Sequence, residues 1–322
     1  MDYATFIRRG APRWDEADRL LAAPGGVSAL GFDGLTRLSA LHRSVVTDYA
    51  FARAHFAGTE AERRLARLAL AGHSVLAQRR APIMEQIAAF YRHEYRQLFR
   101  ATAPALRVSL LVFVGAGALG GVLTWLEPDF AVLLIGVDQV EQVKAGEIWT
   151  DAIGVAAPPS VLSSYIFTNN IGVAFSAWAG GALLGLGTLV ILTTNGLMVG
   201  SLVVLCARYG MLDRLFAFIS AHGPLELFLI CLAGAAGLRM GGALVAWDHR
   251  PRVEAFAEVA RASFRMMLAT VPWFVLLGIV EGYISPVMTL GTPVKAVIGI
   301  GLLGVFLALA TAPAPAKNME AT

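Results

Sequence analysis

This sequence is short of charge: charged residues make up only 15% of its 322 positions, while 57% are hydrophobic. That shortage excludes an ordinary soluble domain, in which about a quarter of the residues carry charge. Short alternating strand patterns are also missing, and uninterrupted apolar runs argue against a membrane β-barrel. Cysteine is nearly absent: Cys206 and Cys231 both lie in apolar stretches and read as small packing residues, not a disulfide frame. No cleavable signal peptide is read at the start, because "MDYATFIRRGAPRWDEADRLL" has no apolar core behind its charges. Lysine is scarce beside arginine, and the formal net charge of +3 says less than where the charges fall.

What is present is a set of apolar runs of about 20 residues, long enough to cross a bilayer core. The fold class expected is all-α, a polytopic helical membrane protein with an N-terminal cytoplasmic helical bundle. Residues 1–103 form the basic helical region, 104–312 a transmembrane domain of about six spans with an outer loop at 127–165, and 313–322 a disordered tail. In the first region sixteen arginines lie between Arg8 and Arg107, against ten acids between Asp2 and Glu94. Apolar residues recur there at helical spacing: Leu35, Leu38, Leu41 and Val45, then Leu65, Leu68, Val75 and Leu76. Gly58 breaks one helix, and Thr59 with Glu62 predicts a capping box for the next. Pro82 is read as the start of a third helix carrying Phe90, Tyr91, Tyr95 and Phe99. His42, His55 and His73 fall on these amphipathic helices and read as packing or solvent-facing groups.

The spans are predicted at about 104–126, 168–191, 195–212, 223–246, 266–285 and 293–311. Thr193-Thr194-Asn195-Gly196 is a good turn sequence, so Asn195 and Gly196 are placed at an inner turn. Arginines near the spans set the orientation. The N-terminal region and the segment holding Arg250, Arg252, Arg261 and Arg265 go to the cytoplasm, and Lys317 agrees. The loop with Glu127, Asp129, Asp138, Glu141, Glu147 and Asp151 goes outside, leaving both termini cytoplasmic.

On that topology three helices bring polar groups to one depth near the outer face: Asn169 and Asn170, His222 and Glu226 in "HGPLELF", and Glu281 in "VEGYISP". His222 and Glu226 are four apart and share a helical face. Ionisable groups within a span are costly and face a cavity or a partner. Two readings of these five residues stand side by side. In one they line a polar pocket; in the other Asn169 caps its helix, Glu226 satisfies amides at a helix N-terminus, and Glu281 reaches the surface. No catalytic residue and no cofactor is assigned. A divalent metal at His222 and Glu226 stays open, although the second histidine and the general base of the zinc-protease signature are missing. Arg239 is read as snorkelling to the cytoplasmic interface. Small-xxx-small spacings at Gly117/Gly121, Gly181/Gly185, Gly196/Gly200 and Gly237/Gly241 predict close helix packing. Nucleic-acid binding is excluded, because the arginines alternate with acids and no reader motif occurs.

Several of these pieces together resemble the stage II sporulation protein M family of bacterial integral membrane proteins. They are Phe167-Thr168-Asn169-Asn170-Ile171, the Gly180-Gly181 and Gly185 pattern leading to Asn195-Gly196, "HGPLEL" with "AGAAGL", and Glu281 in "VEGYISP". The upstream segments "RRGAPRWDEADRLL", "DYAFARAHF" and "LARLALAGHSVL" are similar to the N-terminal helices of its non-sporulating members. The resemblance implies the bacterial cytoplasmic (inner) membrane and partnership with cell-wall hydrolases in peptidoglycan remodelling. Three functional readings follow, in order. The first is a non-catalytic membrane scaffold of an envelope complex, a homo-oligomer in the lipid bilayer. The second is a transporter or channel for a cation or small polar solute, and the third is an intramembrane metal enzyme.

Overall fold

The computed structural model describes residues 2–23, 30–77, 83–148, 159–245, 252–287 and 289–312. The helix start read at Pro82, together with Asp151, Arg250 and the tail with Lys317, lies outside them. The chain divides into two units, residues 1–87 and 88–322.

In the first unit α1 (Tyr3–Leu21), α2 (Gly31–His55) and α3 (Glu60–Ala77) pack together. Their shared core holds Phe6, Trp14, Leu41, Val45, Ala52, Leu65 and Leu68. Asp2 caps α1 by accepting from the Thr5 amide at 2.8 Å. At the head of α3 the Glu62 amide donates to Thr59 Oγ1 at 3.3 Å, and Glu62 accepts in return from the Gly58 amide at 2.9 Å. Trp14 is buried, and its Nε1 donates to Asp48 at 2.8 Å. Arg64 of α3 joins Asp15 and Asp18 of α1 at 2.7 and 2.6 Å.

The second unit begins with an unexpected continuity. α4 (Ile83–Ala89) passes through one π-helical turn, Phe90–Glu94, into α5 (Tyr95–Leu126), so Phe90, Tyr91, Tyr95 and Phe99 belong to the same run as the first span. Tyr95 and Phe99 are buried in the core of this unit, and Tyr91 Oη donates to Ala269 O at 2.7 Å. The sequence boundary at 103 therefore falls inside a helix; the reason is that the Tyr95 and Phe99 rings pack against Phe306 and Tyr91 reaches Ala269.

Five described helical segments are long and apolar enough to cross a membrane: Met84–Leu126, Leu186–Arg208, Gly223–Val245, Arg252–Tyr283 and Thr292–Thr311. The last four are α9, α11, α12 and α13, and α8 (Pro159–Ala179), 21 residues long, packs among them. The protein is thus an all-α polytopic membrane protein.

The turn between α8 and α9 sits elsewhere than the sequence pattern suggested. Thr193–Gly196 lies inside α9 (Leu186–Arg208), and the chain reverses at Gly180–Gly185. Leu184 and Gly185 take positive φ there, 56° and 83°, and glycine adopts that conformation at least cost. The polar residues do not break α9 because they bond back along it: Thr194 Oγ1 donates to Val190 O and Asn195 Nδ2 to Ile191 O, at 2.9 and 2.8 Å. α8 also starts earlier than expected, so Asn169 and Asn170 lie at its middle and not at its cap.

Contacts fix the helix directions. Gly117 meets Gly196 and Gly200, Gly121 meets Val204, and Arg208 Nη1 donates to Trp125 O, so α5 and α9 run parallel. Ser109 bonds Cys231 O while Arg239 bonds Thr102, so α11 (Gly223–Val245) is antiparallel to both. Ser263 of α12 (Arg252–Tyr283) bonds Ala236 O, and Arg96 of α5 donates to Leu309 O near the end of α13 (Thr292–Thr311). The start of α5 and the end of α13 therefore share one end of the bundle. At the other, distal end α6 (Val132–Ile135), α7 (Val137–Lys144) and α10 (Leu212–Ile219) form a platform. It has its own core of Ala131, Val140, Val143, Ile148, Leu205, Cys206, Met211 and Leu215.

Glycine makes the parallel crossing close. A Cβ at Gly200 would strike the Gly117 carbonyl, whereas one at Gly115 meets open space. Gly200→Val should lower the melting temperature of the detergent-solubilised protein by several degrees, as overpacking by about 1–3 kcal/mol would. Gly115→Ala should leave it unchanged.

In the first unit, burial and the neighbouring His73 hold the His42 imidazole below its ordinary value, and its Nδ1 is buried without a partner. The unfolded chain then binds this proton more readily, so stability falls as pH drops below about 6.5. Amide exchange in α2, corrected for intrinsic rates, should quicken at about pH 5.5 relative to pH 8, and less so in His42→Leu.

Candidate functional site

The distal end of the bundle collects polar groups that hydropathy alone would push apart. His222 closes the connection from α10 to α11, Glu226 sits in the first turn of α11, and Glu281 in the last turn of α12. Because α11 and α12 are antiparallel neighbours, the start of one meets the end of the other. His222 Nε2 stands 3.8 Å from Glu226 Oε2 and 3.6 Å from Glu281 Oε1. One donor atom from each of the three residues lies within 4.8 Å of the others. His222 and Glu281 are buried, and the Glu226 side chain is 12% exposed.

Two more residues complete the surroundings. The other imidazole nitrogen, Nδ1, is 2.9 Å from Ser285 Oγ. Lys295, only 2% exposed, donates from Nζ to Ser285 O at 2.6 Å and to Ala217 O at 2.8 Å. It thereby ties the end of α10 and the turn after α12 to the start of α13. Phe218 closes one side with its ring edge-on to the imidazole at 5.5 Å. Sequence reasoning missed Ser285 and Lys295. A lone lysine four residues into the apolar run "TPVKAVIGIG" was the available signal, since a buried ammonium requires acceptors.

The five residues expected in one pocket separate into two places. His222, Glu226 and Glu281 come together; Asn169 and Asn170 do not join them. Asn169 Nδ2 donates to Asn170 Oδ1 at 3.2 Å, and Asn169 shares an open groove of about 360 Å³ with Asn195, Thr168 and Ser176 between α8 and α9. Asn195, set apart as an inner-turn residue, thus stands with Asn169 in mid-helix. The glycines form a third group: Gly117, Gly196 and Gly200 at the α5–α9 crossing, with Gly181 against Gly237 and Gly185 against Gly241 where the turn crosses α11. Arg239 Nη1 donates to the Thr102 hydroxyl at 3.0 Å.

Chemically, an imidazole and two carboxylates can hold a divalent cation or share a proton, and the neighbouring Lys295 is already engaged with carbonyls. A helical bundle with one ionisable cluster at the mouth of its spans defines a membrane protein of the polytopic, small-residue-packed class. The chain belongs to the stage II sporulation protein M family, whose model (Stage II sporulation protein M) matches residues 97–286. A second model, described as a domain of unknown function, DUF8413, matches residues 4–78, which are α1 to α3. No curated protein and no solved structure gives a match.

Replacing Lys295 by methionine keeps the stem but leaves the Ala217 and Ser285 carbonyls without that donor, at about 1–3 kcal/mol for each group left unpaired. Lys295→Met should lower the melting temperature by several degrees while helix content, followed by circular dichroism, stays at the wild-type level.

Proposed function

We propose that this chain is a non-catalytic assembly component of a bacterial envelope complex, resident in the cytoplasmic membrane, with the platform of α6, α7 and α10 as its partner-facing surface. The observation that carries this reading is the platform itself: a layer of short helices packed on the end of α9, with a core that takes in Leu205 and Cys206 of that span. Val140 and Val143 anchor α7, so Asp138, Gln139, Glu141 and Gln142 are left exposed. Arg214 donates to Gly146 O and Lys144 pairs with Asp129 and Glu141, which stiffens the layer. Membership of the stage II sporulation protein M family supports a role beside cell-wall remodelling proteins.

Charge asymmetry supports the orientation. Arg92, Arg96, Arg100, Arg261 and Arg265 gather toward one end, and Glu127, Asp129, Asp138, Glu141 and Glu147 toward the platform end. The arginine end then faces the cytoplasm and the acidic platform faces outward. A transport reading rests on a different observation, the groove holding Asn169 and Asn195 at mid-helix.

Photo-crosslinkers at Gln139 and Gln142 in the native membrane should trap discrete envelope partners. Asp138→Arg with Glu141→Arg should weaken those products severalfold without displacing the chain from the membrane. Crosslinks that persist unchanged in the double variant would reject the platform as the docking face. Cation or solute flux through liposomes holding the pure protein would favour transport instead.

A further inference from the structure

We infer that His222, Glu226 and Glu281 bind a divalent transition-metal ion of the zinc class at the distal end of the bundle. The donor set comes first. One imidazole nitrogen and two carboxylates are what borderline metals such as Zn²⁺ take, whereas Mg²⁺ and Ca²⁺ prefer all-oxygen shells with more ligands.

The spacing comes second. At 3.6 and 3.8 Å, His222 Nε2 is beyond hydrogen-bond reach of either carboxylate. Two donors on a tetrahedral metal with bonds of about 2.0–2.2 Å stand roughly 3.3–3.5 Å apart, so small rotations bring all three donors onto one ion. His222 is 4% exposed, with this nitrogen aimed at the two acids. Among the described residues no donor completes a hydrogen bond to the Glu226 or Glu281 carboxylate. Two largely buried carboxylates left in that state are expensive, and a dication between them removes the expense.

The support behind the histidine comes third. The 2.9 Å contact between Nδ1 and Ser285 Oγ fixes the ring, and in the tautomer whose Nδ1–H donates to that hydroxyl the Nε2 lone pair faces the acids, the arrangement that metal-ligating histidines use. Lys295 holds the Ser285 carbonyl, so the supporting residue is itself anchored. Three protein donors leave one position for water or a ligand.

The test uses the full chain in detergent, stripped with chelator and titrated with Co²⁺, then analysed for Zn²⁺ content after exchange. The expected result is one ion per chain, with visible cobalt absorption of a four- or five-coordinate nitrogen–oxygen site. His222→Ala and the isosteric Glu281→Gln should abolish the absorption. Ser285→Ala should weaken affinity about 10–100-fold while melting near the wild type. Glu281→Gln and Ser285→Ala keep side-chain shape, so they decide the matter if His222→Ala fails to fold. Absence of cobalt absorption in the wild type, or binding unchanged in Glu281→Gln, overturns the assignment and leaves the carboxyls sharing a proton.

Discussion

The approach of one backbone to another at glycine is the constraint on which the rest of this bundle depends. Between apolar helices in lipid there is little hydrophobic drive, so association relies on close packing and on hydrogen bonds across the contact. Gly117, Gly120, Gly196 and Gly200 let α5 and α9 lie against each other, and Ser201 then bonds the Gly120 carbonyl at 3.1 Å. Because that pair is parallel, α8 must return the chain between them. The return is made where Gly180, Gly181 and Gly185 allow a turn tight enough to fit against Gly237 and Gly241 of α11. With α11 placed by that crossing, the start of α11 and the end of α12 share the distal end.

Polar groups in such a bundle must be satisfied by the protein itself. Most of those buried between helices are, by a simple device: a hydroxyl on one helix donates to a carbonyl on its neighbour. Ser109 to Cys231, Thr188 to Ala177 and Ser263 to Ala236 are three such bonds, of 2.7, 2.7 and 3.1 Å. Tyr95 Oη, Thr124 Oγ1 and Trp178 Nε1 are buried without a partner, and the His222, Glu226 and Glu281 group differs from them in being ionisable, its acids 3.8 and 3.6 Å from the imidazole. Lys295 is the contrasting case beside it. Its ammonium is as buried as any core residue, yet two carbonyls receive it.

The two ends of the spanning unit are built for different surroundings. At one end arginines are interleaved with acids, and Arg265 pairs with Glu94 beside Phe90. At the other, short helices fold over the span ends and expose Asp138, Gln139, Glu141, Gln142 and Asp213 beside the apolar Leu133, Val137 and Phe216. The His–Glu–Glu cluster lies at this second end, where the connection from α10 enters α11. The cluster and the platform are therefore joined by the same short stretch, α10 and its link to α11.

Much of the fold was legible in the residues. Apolar run length gave the membrane class, Thr59 and Glu62 marked the head of α3, and the small-residue spacings fell on positions where helices meet. Of the candidate site, the four-residue step from His222 to Glu226 and the buried acid Glu281 could be read directly. The α8–α9 turn could not. Thr193–Gly196 reads as a turn in sequence and Gly180–Gly185 as part of a span, and local preference does not tell which carbonyls a neighbouring helix requires to pass close by. The register of α8 decided where Asn169 went: starting at Pro159 placed it in mid-helix opposite Asn195, away from the histidine. Composition and periodicity thus determined that this chain is a helical bundle in a membrane, because burial in lipid is a property of each segment alone. Which polar residues meet was decided only by the tertiary structure, since it depends on where glycines on separate helices allow backbones to touch.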